Sequence, residues 1–218
     1  MKNLTLKIAR IVDFTDADFV LMKKYVSEER KKRIERFYFE EDKQMGILSE
    51  VMVRSACHFQ GLLKKESSGM PYVKHKNGSK SFCSISHSDG IVFIAYSDGY
   101  AIGVDIQSTL PSVILTEEFF TKKEIRMVIN CEVSSHALWA MKESVSKLFG
   151  LGLKLDFKEI HFERKSNNTY LTTINNKKIY TLCKKFLNGN LEYYLSVSFF
   201  NEMHILPIKK VKCLSELL

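Results

Sequence analysis

Helical and strand-like patterns are segregated along this chain of 218 residues, and that segregation constrains the fold more than any other feature. Residues 4–11 alternate apolar and polar side chains as a strand does, whereas residues 41–63 carry apolar side chains at helical spacing. Further helices are expected to begin at Thr121 and at Ser134 or Ser135. The other strand patterns cover residues 82–86, 91–96, 101–106, 157–162, 169–174, 178–186, 191–199 and 203–208. Because strands follow strands and do not alternate with helices, the sequence predicts an α+β fold with mostly antiparallel sheets.

A break in this pattern near Gly103 divides the chain into two halves that each read as helices followed by a meander of strands. We therefore expect an N-terminal α+β half over residues 1–103 and a C-terminal α+β half over residues 104–218. The dipeptide Asp98-Gly99 predicts a tight hairpin between the strand patterns on either side of it. The polar segment from Glu66 to Lys80 predicts a loop.

Composition narrows the class of protein. The chain has 33 Lys and Arg against 25 Asp and Glu, a formal charge of +8, so phosphate-rich or acidic partners are expected. No apolar run approaches the ~20 residues of a membrane span, and the N-terminal segment turns acidic where a signal peptide would be apolar. The five cysteines form no CxxC pair and no zinc-ligand spacing, which favours reduced thiols. We expect a cytoplasmic protein with no membrane partner.

Three short constellations could carry chemistry. The segment SISHS at 84–88 runs from a strand into a turn, and GVDIQ at 103–107 places Asp105 and Gln107 on one face of a strand. The segment WAMKESVSKLFGLGL at 139–153 spaces Trp139, Glu143 and Lys147 four apart on a helix. Each has a plainer alternative: a polar turn, an ion pair that satisfies a buried aspartate, and a surface ion pair beside a core tryptophan.

Taken together, the order and spacing of the three segments resemble the Sfp-type 4′-phosphopantetheinyl transferases. That family is marked by a Ser-His turn, then Gly-x-Asp-x-Glu, then Trp-x-x-Lys-Glu-x-x-x-Lys-x-x-Gly-x-Gly-Leu. The segments ERKKRIERFYFEED, VMVRS, GMPYV and FFTKKE of this chain also look similar to the family. The resemblance covers most of residues 27–153 and extends more loosely to the rest.

The resemblance implies a fold, a reaction and its cofactors. The family fold has two similar α+β halves related by a pseudo-twofold axis, with coenzyme A in the cleft between them. The family transfers the 4′-phosphopantetheine arm of coenzyme A to a serine of an apo carrier protein, with Mg²⁺, and releases 3′,5′-bisphosphoadenosine. Acyl, peptidyl and aryl carrier proteins are acidic, so the positive charge of this chain would favour their docking. By analogy we expect a monomer.

The resemblance also implies roles for residues around the metal and the pyrophosphate. Asp105 and Glu143 match the family's magnesium ligands, and Lys147 matches the lysine beside the pyrophosphate. Glu143 is also placed to accept the proton of the attacking serine. Gln107 stands where the family usually has glutamate, so an amide oxygen or a water would complete the metal site with weaker affinity. Glu124 is a secondary candidate near the metal.

A second group matches the family's contacts to the nucleotide of coenzyme A. His87 matches the contact to a cofactor phosphate and Ser86 its neighbour. Arg30 and Arg33 match basic positions that hold the 3′-phosphate, and arginine suits phosphate oxygens well. Gly69 and Pro71 match the loop beside the adenine. The chain departs from the family at two positions that each lose an expected phosphate contact, which are Met45 and Met70.

Two alternatives stay open beside an active transferase. A basic nucleic-acid-binding module would use the helix around Arg30 and Arg33 on a phosphate backbone, but the chain shows no aromatic-basic RNA motif and no helix-turn-helix spacing. We therefore expect no nucleic-acid partner. A non-catalytic relative of the transferases is the second alternative. Because Asp105, Glu143, Lys147 and His87 are all present, we expect an active enzyme.

Overall fold

A computed structural model of the chain describes residues 4–110, 115–200 and 207–218. The α-helices are α1 (Asp16–Met22), α2 (Glu28–Ile34), α3 (Glu40–Ala56), α4 (Lys122–Ile129) and α5 (Ser135–Phe149). The strands are β1 (Leu4–Arg10), β2 (Gly61–Lys65), β3 (Pro71–His75), β4 (Lys80–Ser88), β5 (Ile91–Ser97), β6 (Ile102–Ser108), β7 (Glu163–Ser166), β8 (Thr169–Ile174), β9 (Lys177–Asn188), β10 (Leu191–Phe199) and β11 (Lys209–Val211). They form two sheets, and every described pairing except that of β1 with β11 is antiparallel. The expected α+β class with mostly antiparallel sheets is confirmed.

The chain folds into two compact units, one formed by Met1–Tyr100 with Ile205–Leu218 and the other by Ala101–His204. The boundary expected after residue 103 falls inside β6, whose first residue is Ile102. The C-terminal strand β11 pairs in parallel with β1, so the last described residues join the first unit and not the second. No sequence pattern marks such a return, because a strand of three residues carries too little periodicity to reveal its partner.

The first unit packs the helix α3 on a six-stranded sheet of order β11-β1-β5-β4-β3-β2. Leu48, Val51 and Met52 of α3 are fully buried against Val92 and Ile94 of β5. Helical spacing of apolar residues therefore produces the expected core face along Glu40–Ala56. The expected helical pattern was wrong over residues 57–63, because the chain turns after Ala56 and enters β2, on which Leu62 is 43% exposed. Met45 belongs to the same buried cluster, so this methionine contributes to the core of the first unit.

The second unit packs α5 on a five-stranded sheet of order β6-β10-β9-β8-β7. Leu138, Met141, Val145 and Leu148 form the buried face of α5, as their spacing predicts. The helix ends at Gly150, whose φ of 69° is the left-handed conformation that glycine adopts at helix ends. Trp139 is partly buried and packs edge-on against Phe119 with 5.4 Å between ring centres, so it lies at the border of the core of this unit.

Several local expectations were wrong. The hairpin turn is Asp89-Gly90, both at positive φ, which joins β4 to β5; Asp98-Gly99 leads out of the first sheet instead. The expected loop from Glu66 to Lys80 contains β3, since its short alternating segment is hidden among lysines. The expected strand 157–162 begins as a short 3₁₀ helix at Phe157–Glu159. Residues 203–206 of the expected strand 203–208 lie outside the described residues.

None of the described helices has the length and apolar character that crossing a membrane requires.

Candidate active site

The site is built where α5 crosses β6. Gly103, Asp105 and Gln107 alternate along β6 and share one face of the strand. A Cβ atom at Gly103 would overlap the backbone carbonyl of Ser144 and the amide nitrogen of Leu148, so the backbone of α5 rests directly on this glycine. The contact is possible only without a side chain at position 103. This contact fixes the position of α5 along β6, and so the distance of the α5 side chains from Asp105.

Gly103→Ala is expected to destabilise the protein by about 1–3 kcal/mol, because α5 must move away from the strand to admit a methyl group. Chemical denaturation followed by Trp139 fluorescence measures the loss. Gly78→Ser is the comparison, since no atom lies within 4 Å of a Cβ at this loop glycine and any cost there comes from a side chain at a φ of 84° and not from a steric clash. Equal stabilities for wild type and Gly103→Ala would contradict the close packing of α5.

A network of buried hydroxyls holds α5 to the sheet. The Oγ of Ser144 lies 2.8 Å from the Oγ of Ser196 and 2.7 Å from the Oγ of Ser198. Thr181 Oγ1 lies 2.8 Å from the same Ser198 hydroxyl. All four residues are buried, and each finds its partners within the network. Ser196 is also the direct cross-strand neighbour of Asp105, so the network fixes both the helix and the strand that carries the aspartate.

Lys147 and Asp105 form an ion pair within this frame. The Nζ of Lys147 donates to Oδ1 of Asp105 at 2.7 Å. The Asp105 side chain is only 6% exposed, whereas that of Lys147 is 28% exposed. The ammonium therefore reaches the solvent side of the pair while the carboxylate is held inside. The plainer interpretation of Asp105, an ion pair with a lysine, is therefore confirmed.

The carboxyl group of Glu143 lies within the electrostatic influence of both Asp105 and Lys147. Burial raises the pKa of the Glu143 carboxyl, and the negative charge of Asp105 raises it further, while Lys147 lowers it. The structure thus brings together the two carboxylates and the lysine that the sequence singled out. Two negative charges face one positive charge, and the half-buried Glu143 is destabilised in its ionised form. Because this cluster has one more negative than positive charge when Glu143 is ionised, binding of a cation would stabilise it.

The donor atoms at this cluster fit a hard divalent cation. Asp105 and Glu143 supply carboxylate oxygens. The side-chain nitrogen Nε2 of the half-buried Gln107 donates to the Ser108 carbonyl at 3.2 Å, so the side-chain oxygen of Gln107 is the atom that could bind a cation. Within the described ranges, no group of three or more His, Cys, Asp and Glu residues is arranged to hold a metal. A cation here would need oxygen atoms from substrate or water, which is how Mg²⁺ is commonly bound.

Glu124 has a structural environment. Its carboxylate pairs with Lys142, with Nζ 2.8 Å from Oε1, and Lys142 is completely buried. The same carboxylate accepts the backbone amide of Thr121 at 2.8 Å, which closes the capping box of α4. Lys142 also donates to the carbonyls of Phe157 and Ile160. These contacts account for Glu124 without a metal, and its role near the metal stays a prediction.

The expected nucleotide contacts lie in the first unit. Arg30 and Arg33 are on α2, and Arg30 Nε is buried without a hydrogen-bond partner. Pro71 begins β3, and Gly69 lies in the preceding turn with a φ of 91°. Lys65, which the sequence interpretation missed, is the cross-strand partner of Pro71. Burial lowers the pKa of Lys65, and the charges of Arg33 and Arg30 lower it further, so three cations converge beside the turn.

Ser86 and His87 are consecutive on β4. Ser86 is buried and His87 is exposed, as alternating residues of a strand should be. Their roles at the cofactor stay predictions. Lys65 could have been identified only if the segment from Glu66 to Lys80 had been interpreted as part of a hairpin, because the pairing with Pro71 is what brings it to the turn.

Comparison with known proteins agrees with the resemblance that the sequence motifs indicate. Residues 101–197 match the model of the 4′-phosphopantetheinyl transferase superfamily. The chain is 32% identical over 144 residues to 4′-phosphopantetheinyl transferase Sfp of Bacillus subtilis, covering 60% of this chain and 63% of that protein. It is 27% identical over 202 residues to an L-aminoadipate-semialdehyde dehydrogenase-phosphopantetheinyl transferase of Xenopus laevis, covering 82% and 65%. The matched part of the chain thus spans less than two thirds of either relative.

Proposed function

We propose that this chain is a 4′-phosphopantetheinyl transferase, which transfers the 4′-phosphopantetheine arm of coenzyme A to a serine of an apo carrier protein. The observation that carries the proposal is the cluster of Asp105, Glu143 and Lys147, which combines two hard anionic oxygen donors with one partly exposed lysine ammonium. Phosphoryl transfer needs charge neutralisation and alignment more than covalent catalysis, and this cluster supplies the charges.

In the proposed reaction the serine oxygen attacks the β-phosphorus of coenzyme A. A new bond forms between that oxygen and the phosphorus, the bond from the phosphorus to the bridging oxygen breaks, and 3′,5′-bisphosphoadenosine leaves with the electron pair. Ionised Glu143 accepts the serine proton, directly or through water. Lys147 Nζ, which already pairs with Asp105, offsets the negative charge that develops on the pyrophosphate.

Asp105 and Glu143 are the residues that would hold Mg²⁺, with Gln107 as a neutral third donor. When bound, this ion neutralises the pyrophosphate charge. The replacement of a carboxylate by Gln107 leaves the site with one negative charge fewer than the family pattern, and weaker metal affinity is expected.

In the first unit, Arg30 and Arg33 would hold the 3′-phosphate of coenzyme A. The unpartnered buried Nε of Arg30 supports this role, because a buried donor without an acceptor is unfavourable until a ligand supplies one. Gly69 and Pro71 would lie beside the adenine, and Ser86 and His87 would contact the nucleotide. Met70, which replaces an expected lysine, lies between Gly69 and Pro71 in the same turn.

The proposed setting is the cytoplasm, with the chain acting as a monomer and without nucleic acid. All five cysteines are free, among them the exposed Cys131 and Cys213, and exposed free thiols suit a reducing compartment.

The proposal is tested by incubating the protein with coenzyme A, Mg²⁺ and several apo carrier proteins, and measuring the carriers by intact mass spectrometry. We expect at least one carrier to gain the mass of a single phosphopantetheine arm on its serine. A carrier whose acceptor serine is replaced by alanine is the control and should gain nothing. No mass increase on any carrier, with the protein folded, would favour a non-catalytic relative.

Thermal denaturation separates the transferase from a nucleic-acid-binding module. Coenzyme A with Mg²⁺ should raise the melting temperature, because a ligand that binds only the folded state stabilises it. DNA and RNA oligomers at equal phosphate concentration should leave it unchanged. A rise with oligomers and none with coenzyme A would contradict the proposed function.

A further inference from the structure

The outer face of the β2–β3–β4 segment carries an unusual set of side chains. Two cross-strand rows share this face, because Leu62 lies opposite Lys74 and Lys74 opposite Lys80, while Lys64 lies opposite Tyr72 and Tyr72 opposite Phe82. We call these six residues the basic hairpin face. It combines three lysines with three large apolar or aromatic side chains, of which Leu62 is 43% and Phe82 36% exposed.

A cavity of about 450 Å³ adjoins the basic hairpin face where β2 begins and β3 ends. Its lining includes Arg54, Phe59, Lys64, Lys74, His75 and Lys76, and it contains no acidic residue. The guanidinium of Arg54 lies 5.6 Å from the centre of the Phe59 ring and donates to the carbonyl of Tyr25. Arg54 Nε is nevertheless buried without a hydrogen-bond partner. The described part of the chain therefore supplies no acceptor for this buried donor.

The charges of this region are poorly compensated within the chain. Residues 54–80 contain a single acid, Glu66, against Arg54, Lys64, Lys65, Lys74, Lys76 and Lys80. Lys80 pairs with Glu66 at 2.7 Å and Lys64 pairs with Glu29. Lys74 and Lys76 form no ion pair with any residue that the structure describes. In addition, Lys74 lies directly opposite Lys80, and like charges in that position destabilise a sheet.

We propose that the basic hairpin face and its adjoining cavity form the docking surface for an acidic region of the apo carrier protein. This inference rests on the proposed function, since it names the surface that would receive the protein substrate. Carboxylates of the carrier would pair with Lys74 and Lys76 and reach Arg54, while its apolar side chains would cover Leu62, Tyr72 and Phe82. The complementary charge of the two surfaces would increase the rate of their encounter.

The geometry favours a protein surface over a small anion. A bound phosphate needs donors that converge on one point. The three lysines of the basic hairpin face, Lys64, Lys74 and Lys80, instead lie on three successive strands, each about 4.8 Å from the next. Exposed aliphatic and aromatic side chains lie between the charges, as in a protein interface with a charged rim. The face is a regular sheet surface, so docking would require little rearrangement of its backbone.

The test uses the double variant Lys74→Glu/Lys76→Glu. Both side chains are exposed, so the fold should be retained and the melting temperature should match wild type. Binding of a fluorescently labelled acidic apo acyl carrier protein, measured by anisotropy without coenzyme A, should weaken by roughly tenfold or more, with a shallower salt dependence. Lys178→Glu, an equally exposed lysine of β9, is the matched charge control and should bind as wild type does.

Kinetics distinguish this docking role from a role at the nucleotide. With a carrier that is modified, the double variant should show a raised KM for the carrier, an unchanged KM for coenzyme A and a kcat within about twofold of wild type. Equal carrier binding by wild type and the double variant would overturn the inference. A raised KM for coenzyme A alone would also overturn it, because the face would then serve the small substrate. Carrier binding without any transfer would contradict the proposed function and leave the docking result standing.

Discussion

Glu143→Gln is expected to lower the turnover number for phosphopantetheine transfer by about 10²–10⁴-fold, with the protein still folded. The substitution removes both a proposed metal ligand and the proposed proton acceptor, yet it preserves the shape of the side chain. Single-turnover mass spectrometry with coenzyme A, Mg²⁺ and an apo carrier protein measures the loss. Glu163→Gln, which changes an exposed glutamate of β7, is the matched control and should keep wild-type turnover.

Although Glu143→Gln lowers turnover, it should not lower the free energy of unfolding at neutral pH. Burial and the charge of Asp105 raise the pKa of Glu143, so the folded state disfavours its ionised form. The stability of wild type relative to the variant is therefore greatest in acid and falls as pH rises from the ordinary glutamate pKa through the raised one. At neutral pH the variant should be at least as stable as wild type in chemical denaturation. Wild-type turnover by Glu143→Gln would remove Glu143 from the mechanism, whatever its stability.

Glu124→Ala is expected to cost about 3–5 kcal/mol of folding free energy, because it leaves the ammonium of the fully buried Lys142 without its counter-charge. It also removes the carboxylate that completes the capping box of α4. Urea unfolding followed by Trp139 fluorescence, in the absence of divalent ions, measures the effect. Glu118→Ala, an exposed neighbour that precedes the helix, should change the free energy of unfolding by less than about 0.5 kcal/mol.

The double variant Glu124→Ala/Lys142→Met decides between structure and metal binding at Glu124. Removing both charges avoids an unpaired buried ion, so the double variant should recover part of the stability lost by Glu124→Ala. A metal ligand would behave differently, since its loss would weaken the protein only when Mg²⁺ is present. Equal stability of Glu124→Ala and wild type without metal would contradict the structural role.

The sequence predicts the second unit more successfully than the first, for physical reasons. The buried face of α5 follows from four apolar residues at helical spacing, and the helix ends at a glycine that adopts positive φ. Asp105, Glu143 and Lys147 are also found together, because a strand motif and a helix motif fix their own geometry and Gly103 fixes the crossing. Local rules suffice where each residue type has one dominant structural use.

The first unit depends on pairings between distant or weakly patterned segments. The hairpin of β2 and β3 is obscured because its alternate residues are lysines and not small polar side chains, so Lys65 and the basic hairpin face escape detection. The parallel pairing of β11 with β1 joins segments some two hundred residues apart. Both Asp89-Gly90 and Asp98-Gly99 have the composition of a tight turn, and only the sheet register reveals that the first is the hairpin.

The most direct test of the central claim is the binding of Mn²⁺, as a paramagnetic substitute for Mg²⁺, followed by electron paramagnetic resonance in the presence of coenzyme A. If Asp105 and Glu143 share one cation, Asp105→Asn and Glu143→Gln should each weaken Mn²⁺ binding by about tenfold or more, while Glu163→Gln should bind as wild type does. Wild-type Mn²⁺ affinity in both Asp105→Asn and Glu143→Gln would contradict a shared metal site at this cluster.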